Sequence, residues 1–327
     1  MKTALITGGA GFIGFHLAGY LHKNGRKVVI ADNLFRGKMD DELKRLLDSG
    51  VHFVQCDITK PEDFEQLGSG YDEVYHLAAI QGTKHFYEIP HEVLRVNVLG
   101  VINILEWFVK SKSKKILFAS SSEAYAGTYR KFGVPIPTPE DVPLAIEDHF
   151  NPRWSYGGSK IIGELFFINY ARMHKFPMSI IRYHNVYGPR MGHDHVIPEF
   201  CKRIFAGENP FLIKGGENTR AFCYVDDAIR ATTAVMESEK TNGEIVHIGK
   251  EEEISILDLA SKMLSIAGSL PELKIEPAPE GSVHRRCPST SKLRTLTGFV
   301  ASIPLEEGLR KTMDWYRKLY SPELPSK

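Results

Sequence analysis

Short apolar runs alternate with amphipathic stretches through the first half of the chain. The apolar runs are rich in β-branched residues, as expected of parallel strands covered on both faces, and they lie at residues 3–7, 27–31, 52–55, 73–77, 115–119 and 178–183. Between them, apolar residues recur at helical spacing, most clearly at residues 14–24, 90–110 and 155–174. This alternation predicts an α/β fold built on a doubly wound parallel sheet of the Rossmann type.

The rhythm changes after Asn185, where prolines and the pair Gly215-Gly216 interrupt the pattern. The later elements are predicted as helices at residues 226–238, 255–267 and 305–319 and a strand at residues 244–249. We therefore expect a Rossmann domain and a smaller, interleaved C-terminal lobe. The domain would comprise residues 1–185 and 223–250, and the lobe residues 186–222 and 251–327.

Composition limits the partners that the chain can have. Of the 327 residues, 43% are apolar and 25% are charged, which is near the average for globular proteins. The net charge is +1 without a basic stripe, so we expect no nucleic-acid partner. No apolar stretch approaches the roughly 20 residues of a membrane span, and the first residues leave no room for a signal sequence. The four cysteines lack the spacing of zinc sites or disulfides, so we expect a cytoplasmic protein without a metal.

A glycine-rich turn follows the first predicted strand and leads into a helical pattern, with the sequence Thr7-Gly8-Gly9-Ala10-Gly11-Phe12-Ile13-Gly14. Such glycines permit a tight turn and a close approach of the backbone to a pyrophosphate at the helix N-terminus. Asp32 ends the second predicted strand, 18 positions after Gly14. A carboxylate there can accept hydrogen bonds from both ribose hydroxyls of NAD and would repel the extra phosphate of NADP. Arg36 follows closely and would weaken that preference.

Tyr156 and Lys160 stand four positions apart at the start of a predicted helix, so both project from one face. An ammonium near a phenol lowers the pKa of the phenol, and such a pair can take a proton from an alcohol while hydride leaves. Upstream, the strand predicted at residues 115–119 ends in Ser120-Ser121-Ser122-Glu123. Because the carboxyl ends of parallel strands open on the ligand crevice, we expect these hydroxyls to face Tyr156.

The chain resembles the extended short-chain dehydrogenase/reductases, in the branch that acts on nucleotide-linked sugars. The glycine spacing and the Tyr156/Lys160 pair are similar to that family. The segment from Arg182 to Arg190 resembles its motif R-Y-F-N-V-Y-G-P-R, with His184 replacing an aromatic residue, and the segment from Thr219 to Asp227 resembles R-x-F-x-Y-V-D-D. The resemblance covers nearly the whole chain. It implies NAD as the cofactor of the Rossmann domain, a nucleotide sugar in the smaller lobe, and a homodimer.

The resemblance also implies roles for individual residues, carried over position by position. Tyr156, Lys160 and Ser121 would be catalytic, with Ser121 bonding the substrate oxygen as the carbonyl forms. The cofactor would be held by Gly8, Gly11, Phe12, Ile13, Asp32, Asn33, Arg36, Asp57, Ile58, Leu77, Ala78, Ala79, Asn97, Tyr156, Lys160 and Tyr183. The substrate would be held by Thr83 on the loop after the fourth strand, Ser122, His184, Asn185, Val196, Phe211, Ile213, Arg220 and Arg286. In this set, Asn185, Arg220 and Arg286 would bind the diphosphate, and Val196, Phe211 and Ile213 would flank the base.

Oxidation at C4 of the sugar is common to the branch, but 4-epimerisation, 4,6-dehydration or decarboxylation of a uronic acid can follow it. Glu123 is a further candidate catalytic residue, because Ser121-Ser122-Glu123 resembles the T-S-E of dehydratases and decarboxylases, and many epimerases lack the glutamate. We place 4-epimerisation narrowly first, since it needs only Ser121, Tyr156, Lys160 and NAD. A non-catalytic dinucleotide-sensing module is a remote alternative, which the intact catalytic set disfavours.

Overall fold

The computed structural model describes residues 1–278 and 282–320. In these residues the strands are β1 (Thr3–Thr7), β2 (Lys27–Asp32), β3 (His52–Gln55), β4 (Glu73–His76), β5 (Lys115–Ser121), β6 (Met178–Tyr183), β7 (Val186–Tyr187), β8 (Phe211–Lys214), β9 (Thr219–Ala221), β10 (Cys223–Tyr224), β11 (Ile245–Ile248), β12 (Glu253–Ser255), β13 (Leu273–Glu276) and β14 (Arg285–Arg286). The α-helices are α1 (Phe12–Lys23), α2 (Asp41–Asp48), α3 (Thr83–Glu88), α4 (Pro90–Ser111), α5 (Ala126–Phe132), α6 (Trp154–His174), α7 (Val196–Phe205), α8 (Val225–Glu237), α9 (Ile256–Ala267), α10 (Ser291–Thr297) and α11 (Leu305–Tyr320).

Seven parallel strands form the central sheet, in the order β11-β6-β5-β4-β1-β2-β3. From β1 the chain first builds outward through β2 and β3, then returns to build β4, β5, β6 and β11 on the other side. The order therefore reverses between β1 and β4, and ligands of such sheets bind beyond the carboxyl ends of the strands at this point. The predicted α/β, doubly wound fold is confirmed.

The two faces of the sheet are covered by separate apolar clusters. Leu5 and Ile6, neighbours in β1, are both fully buried but belong to different clusters, because successive side chains of a strand point to opposite faces. The cluster around Ile6 includes residues of α1 and α8, and the cluster around Leu5 includes residues of α4 and α6. The loops at the carboxyl edge of the sheet, and the N-termini of the helices that follow them, are thus supported by a packed apolar layer on each face.

The later part of the chain leaves the sheet after β6 and returns to it at β11. Its short strands pair as β7 with β10, as β8 with β13, and as β9 between β12 and β14. Helices α7, α9 and α11 pack on one another in the same region. The boundaries predicted for the two interleaved units stay a prediction.

Two sequence expectations differ from the structure. Strand β3 is not covered on both faces: it is the sheet edge, and His52 and Gln55 are exposed. Thr83 is not on a loop but begins α3, a helix of six residues that is too short for a periodic pattern. None of the helices in the described parts of the chain combines the length and apolar character of a membrane span.

Candidate active site

The turn between β1 and α1 makes a compact cradle at the switch point of the sheet. Gly8 has φ of +73°, and a Cβ atom there would lie 2.8 Å from the backbone of Ala78 after β4. A Cβ atom at Gly14 would lie 2.2 Å from the carbonyl oxygen of Gly8. Only glycine is compatible with these approaches, which bring the N-terminus of α1 against the turn and aim its free N–H groups at the crevice.

The two carboxylates at the ends of β2 and β3 are ordered by neighbouring groups. Asp32 accepts hydrogen bonds from the backbone N–H of Ala10 at 3.0 Å and of Leu34 at 2.8 Å. Burial raises the pKa of Asp32, and these two bonds oppose the shift. Asp57 accepts from the backbone N–H and the hydroxyl of Thr59. Asp32 is therefore fixed beside the glycine turn, where the sequence predicts the ribose.

Other predicted cofactor residues lie around this crevice or behind it. Asn97, in α4, accepts from the N–H of Ile80 at 2.7 Å and donates to Ser159 at 3.1 Å, so it ties the loop after β4 to α6. Ile58 is buried against Gly100 of α4, and the Tyr183 hydroxyl bonds Thr232. The remaining predicted cofactor residues follow β1, β2 and β4 directly and comprise Gly11, Phe12, Ile13, Asn33, Leu77, Ala78 and Ala79.

The Arg36 side chain lies against two loops of the crevice. Its Nη2 atom is 3.2 Å from the position of a Cβ atom at Gly192 and 3.8 Å from that at Gly82. Burial lowers the pKa of the guanidinium, and the groups that oppose this shift are Tyr156 and Asp194, not Asp32. The effect of Arg36 on the preference of Asp32 for NAD stays a prediction, and the groups that act on its charge are Tyr156 and Asp194.

The carboxyl end of β5 and the first turns of α6 bring Ser121, Tyr156 and Lys160 together. Tyr156 is 7% exposed and Lys160 is 4% exposed. The Lys160 ammonium donates to the carbonyl oxygen of Ala119 at 2.8 Å and lies 5.6 Å from the Tyr156 ring centroid. Tyr156 shares a hydrogen bond with Ser121 and stacks on Phe86 at 5.0 Å between centroids. The predicted juxtaposition of the three side chains is thus present.

The electrostatics of the pair differ from the expectation. Burial raises the pKa of Tyr156 to about 12, and the hydrogen bond with Ser121 only partly opposes this. Burial also lowers the pKa of Lys160 to about 7, against the charge of Glu164. Lys160 is not among the groups that lower the pKa of Tyr156 here, since its ammonium donates to Ala119 and lies 5.6 Å from the Tyr156 ring centroid. Tyr156 is therefore protonated at neutral pH in the protein by itself.

Glu123 lies between two arginines just beyond β5. One of its oxygens accepts from Arg286 at 2.7 Å and the other from Arg153 at 3.0 Å. Burial by itself raises the pKa of Glu123, but the charges and hydrogen bonds of Arg286 and Arg153 outweigh it and lower the pKa to about 2. Burial and these same arginines lower the pKa of the nearby Arg220 to about 10. Among the described residues, Arg286, Arg153 and Arg220 bring three guanidinium groups around the Glu123 carboxylate, an arrangement that suits an anionic ligand.

The predicted substrate residues differ in their contacts and in their exposure. Ser122 lies 3.5 Å from Arg286, and Asn185 donates to the carbonyl oxygen of Ala221. Val196 begins α7 and is half-buried, and Thr83 is exposed.

Three of these predictions are wrong for the side chains. Phe211 and Ile213 are fully buried in the core because they share the inner face of β8, and Leu212 takes the opposite face. His184 is also fully buried, with its ring 4.5 Å from that of His247. Its side chain thus lies behind the Glu123 cluster, not in the wall of the crevice.

Arg153 and His195 belong to the site and were not predicted. Arg153 directly precedes α6. Because it stands only three positions before Tyr156, the sequence could have indicated that it lies near the site. His195 directly precedes α7, and burial and Arg36 lower its pKa while Asp194 and Glu123 raise it. Sequence spacing contains no signal for His195, because only the fold brings α7 near the end of β5.

Comparisons with known proteins agree with this geometry. The sequence profile described as the NAD dependent epimerase/dehydratase family matches residues 4–249. The chain is 36% identical to the UDP-N-acetyl-alpha-D-glucosaminuronate decarboxylase of Bacillus cytotoxicus, over 97% of this chain and 98% of that protein. Among solved structures, the UDP-glucose 4-epimerase of Thermotoga maritima with UDP-glucose has a TM-score of 0.86 and 32% identity, covering 97% of this chain and 99% of that one. The UDP-glucuronic acid 4-epimerase of Bacillus cereus with NAD has a TM-score of 0.83 and 30% identity, covering 98% and 99%.

Proposed function

The chain belongs to the NAD-dependent epimerase/dehydratase family, and from that premise we propose that this NAD-dependent nucleotide-sugar enzyme decarboxylates a nucleotide-linked uronic acid. The observation that carries the proposal is the ionised Glu123 held between Arg286 and Arg153 beside Ser121. The relative in Bacillus cytotoxicus, a uronate decarboxylase by name, supports it.

The residues at the switch point fit NAD. A Cβ atom at Gly8 would fill the cradle, and the N-terminus of α1 is suited to the pyrophosphate. Asp32 is held at the end of β2 for the adenosine ribose. When bound, NAD supplies the hydride acceptor for C4 and, in its oxidised form, a positive charge that favours the Tyr156 phenolate.

The charge state of Glu123 separates dehydration from the other two reactions. Dehydration needs a group that protonates the departing hydroxyl, and a carboxylate with a pKa of about 2 has no proton to give at neutral pH. Decarboxylation of a 4-keto uronic acid needs no such acid, because the electron pair of the breaking C–C bond moves to the C4 oxygen. The hydroxyls of Tyr156 and Ser121 are placed to hold that oxygen.

The residues of the chain then have the following parts. Tyr156 takes the proton of the C4 hydroxyl and Ser121 bonds the same oxygen. Lys160, with a pKa of about 7, can exchange protons near neutral pH. Arg286 and Arg220 hold the diphosphate, and Glu123 keeps the Arg286 guanidinium in place. After carbon dioxide leaves, the enolate takes a proton at C5 from water. The hydride taken from C4 returns to it while Tyr156 gives its proton back to the C4 oxygen, which gives a nucleotide sugar one carbon shorter.

A 4-epimerase is the second candidate. The structural likeness to the UDP-glucuronic acid 4-epimerase of Bacillus cereus favours it. That protein is named for a uronic acid and the Thermotoga maritima epimerase for the neutral UDP-glucose, so an epimerase could take either kind of sugar.

Mass spectrometry of the products distinguishes these reactions. We expect the protein with NAD to convert UDP-glucuronic acid or UDP-N-acetylglucosaminuronic acid to a product lighter by one carbon dioxide. UDP-glucose and UDP-N-acetylglucosamine, which lack the carboxylate, serve as controls and should lose no mass. A uronate product of unchanged mass with inverted C4 would establish the epimerase instead, and loss of water would establish a dehydratase.

We further propose a homodimer in the cytoplasm. Apolar side chains are exposed on the paired helices α4 and α6, namely Leu94, Val109, Leu165 and Met173, and burying them against a second copy would remove them from water. The four cysteines are free and buried, which suits a reducing compartment. Light scattering after size-exclusion chromatography tests the dimer, and Leu165→Glu should convert it to a monomer.

A further inference from the structure

Arg36 occupies a slot between three loops at the carboxyl edge of the sheet. It follows β2, and its guanidinium lies over Gly82, after β4, and over Gly192, before α7. A Cβ atom at Gly192 would lie only 3.2 Å from Nη2, and one at Gly82 would be in ordinary contact with it at 3.8 Å. The cation is therefore held in the crevice by the fold.

Helix α3 places this guanidinium close to the catalytic tyrosine. Gly82 directly precedes α3, and Phe86, one turn further on, stacks on the Tyr156 ring with an interplanar angle of 16°. One helical turn rises about 5.4 Å, so Arg36 and Tyr156 are neighbours across the start of α3. Their mutual electrostatic influence agrees with this distance, because Arg36 lowers the pKa of Tyr156.

The charge of Arg36 has no bonded counterion within the described residues, where no hydrogen bond to its side chain is found. Asp194 is the nearby acid: its Oδ2 atom is 3.4 Å from the same Cβ position at Gly82. Arg286, in contrast, is bonded to Glu123. A half-buried guanidinium without a hydrogen-bond partner among the described residues is available to a ligand, and its planar fork matches a carboxylate.

The chemistry of the proposed substrate calls for a cation at this place. Tyr156 acts at the oxygen on C4, and the carboxylate of a hexuronic acid is attached to C5, the next carbon. A residue that binds this carboxylate must therefore lie near Tyr156, as Arg36 does. On the basis of the proposed function, we propose that Arg36 binds the sugar carboxylate and makes the site selective for a uronic acid over a neutral sugar.

Binding measurements with the NAD-loaded protein test this role without turnover. Wild type should bind UDP-glucuronic acid more tightly than UDP-glucose in isothermal titration calorimetry. Arg36→Gln should weaken binding of UDP-glucuronic acid about 10- to 100-fold, the loss expected for a charge-assisted pair. Binding of UDP-glucose and of NAD should change less than about threefold. Arg36→Lys, which keeps the charge but loses the fork, should be intermediate.

Lys38→Gln is the matched control, because it removes one positive charge from the same loop at an exposed position. It should leave all three affinities unchanged. Equal weakening of both UDP sugars by Arg36→Gln, or a loss confined to NAD affinity, would overturn the proposal, the latter by assigning Arg36 to the cofactor. If the uronate product has unchanged mass, decarboxylation fails, but the affinity ratio still decides the role of Arg36.

Discussion

At the scale of single residues, the chemistry of this enzyme depends on how burial changes protonation. Tyr156 and Lys160 are both nearly inaccessible, and burial drives the pKa of each toward its neutral form. Glu123 is the opposite case, since two arginines keep it ionised. The site therefore holds a neutral phenol beside a permanent ion.

Tyr156→Phe tests the role of the phenol. Removing the hydroxyl deletes the group that holds the C4 oxygen and leaves the ring stacked on Phe86. We expect turnover to fall at least about 1000-fold, within the range for loss of an essential proton-transfer group, while the Kd for NAD stays the same. Product formation followed by mass spectrometry and a fluorescence titration with NAD check this, and undiminished turnover would contradict it.

Glu123→Gln tests the charge cluster. It leaves Arg286 and Arg153 without their shared counterion, so we expect a loss of about 2–4 kcal/mol in the free energy of unfolding at pH 7 and loss of decarboxylation. The folded pKa of about 2 lies below the ordinary 4.5. The stabilisation is therefore present above about pH 4.5 and disappears as the pH falls toward 2.

Urea denaturation of wild type and Glu123→Gln across this pH range measures the difference. The two stabilities should converge as the pH falls. A difference that is independent of pH would show that the ionised form of Glu123 is not what stabilises the cluster.

At the scale of elements, a buried ion pair joins α6 to the end of the sheet. Glu164 of α6 accepts from Ser120 of β5 at 2.6 Å and from two nitrogens of Arg182 of β6 at 2.8 and 2.6 Å. Arg182 also donates to the Tyr125 hydroxyl, which in turn bonds His247. This network sets the position of α6, and hence of Tyr156 and Lys160, relative to Ser121.

Glu164→Gln should therefore act on both stability and catalysis. We expect it to lower the free energy of unfolding by about 3 kcal/mol, because it leaves the buried Arg182 without a carboxylate. It should also lower the pKa of Lys160 further, since Glu164 opposes the effect of burial, and so shift the pH–rate profile. Glu92→Gln, which removes an exposed carboxylate paired with Arg95, is the control and should change neither. An unshifted pH–rate profile in Glu164→Gln would confine the network to a structural role.

At the scale of the whole molecule, the proposed NAD site spans the glycine turn, the ends of β2 and β3, and α6. Binding to the folded state alone stabilises it by about 2.7 kcal/mol at a ligand concentration of 100 times Kd. We expect NAD to raise Tm in a thermal shift assay and NADP to raise it much less, because the Asp32 carboxylate repels the 2′-phosphate. Asp32→Ser should reduce this difference, and equal shifts with both dinucleotides would contradict the assignment of Asp32.

The sequence by itself determined the sheet, its main helices, the glycine turn and the Tyr156/Lys160 pair. These features rest on local periodicity and on motif spacing of a few residues, which are readable without tertiary contacts. The sequence did not predict the burial of Phe211 and Ile213 in the core or the short helix that begins at Thr83. Segments this short show no decisive pattern.

Only the tertiary structure decided what surrounds the catalytic pair. Glu123 meets Arg153 and Arg286 across 30 and 163 positions of the chain, and Arg36 lies against Gly82 and Gly192, on loops remote from it in sequence. His184, a substrate candidate by its place in a motif, is fully buried. The charge at the site, and with it the choice among reactions, depends on distances between segments remote in sequence, because desolvation and Coulomb interactions act through space and not along the chain.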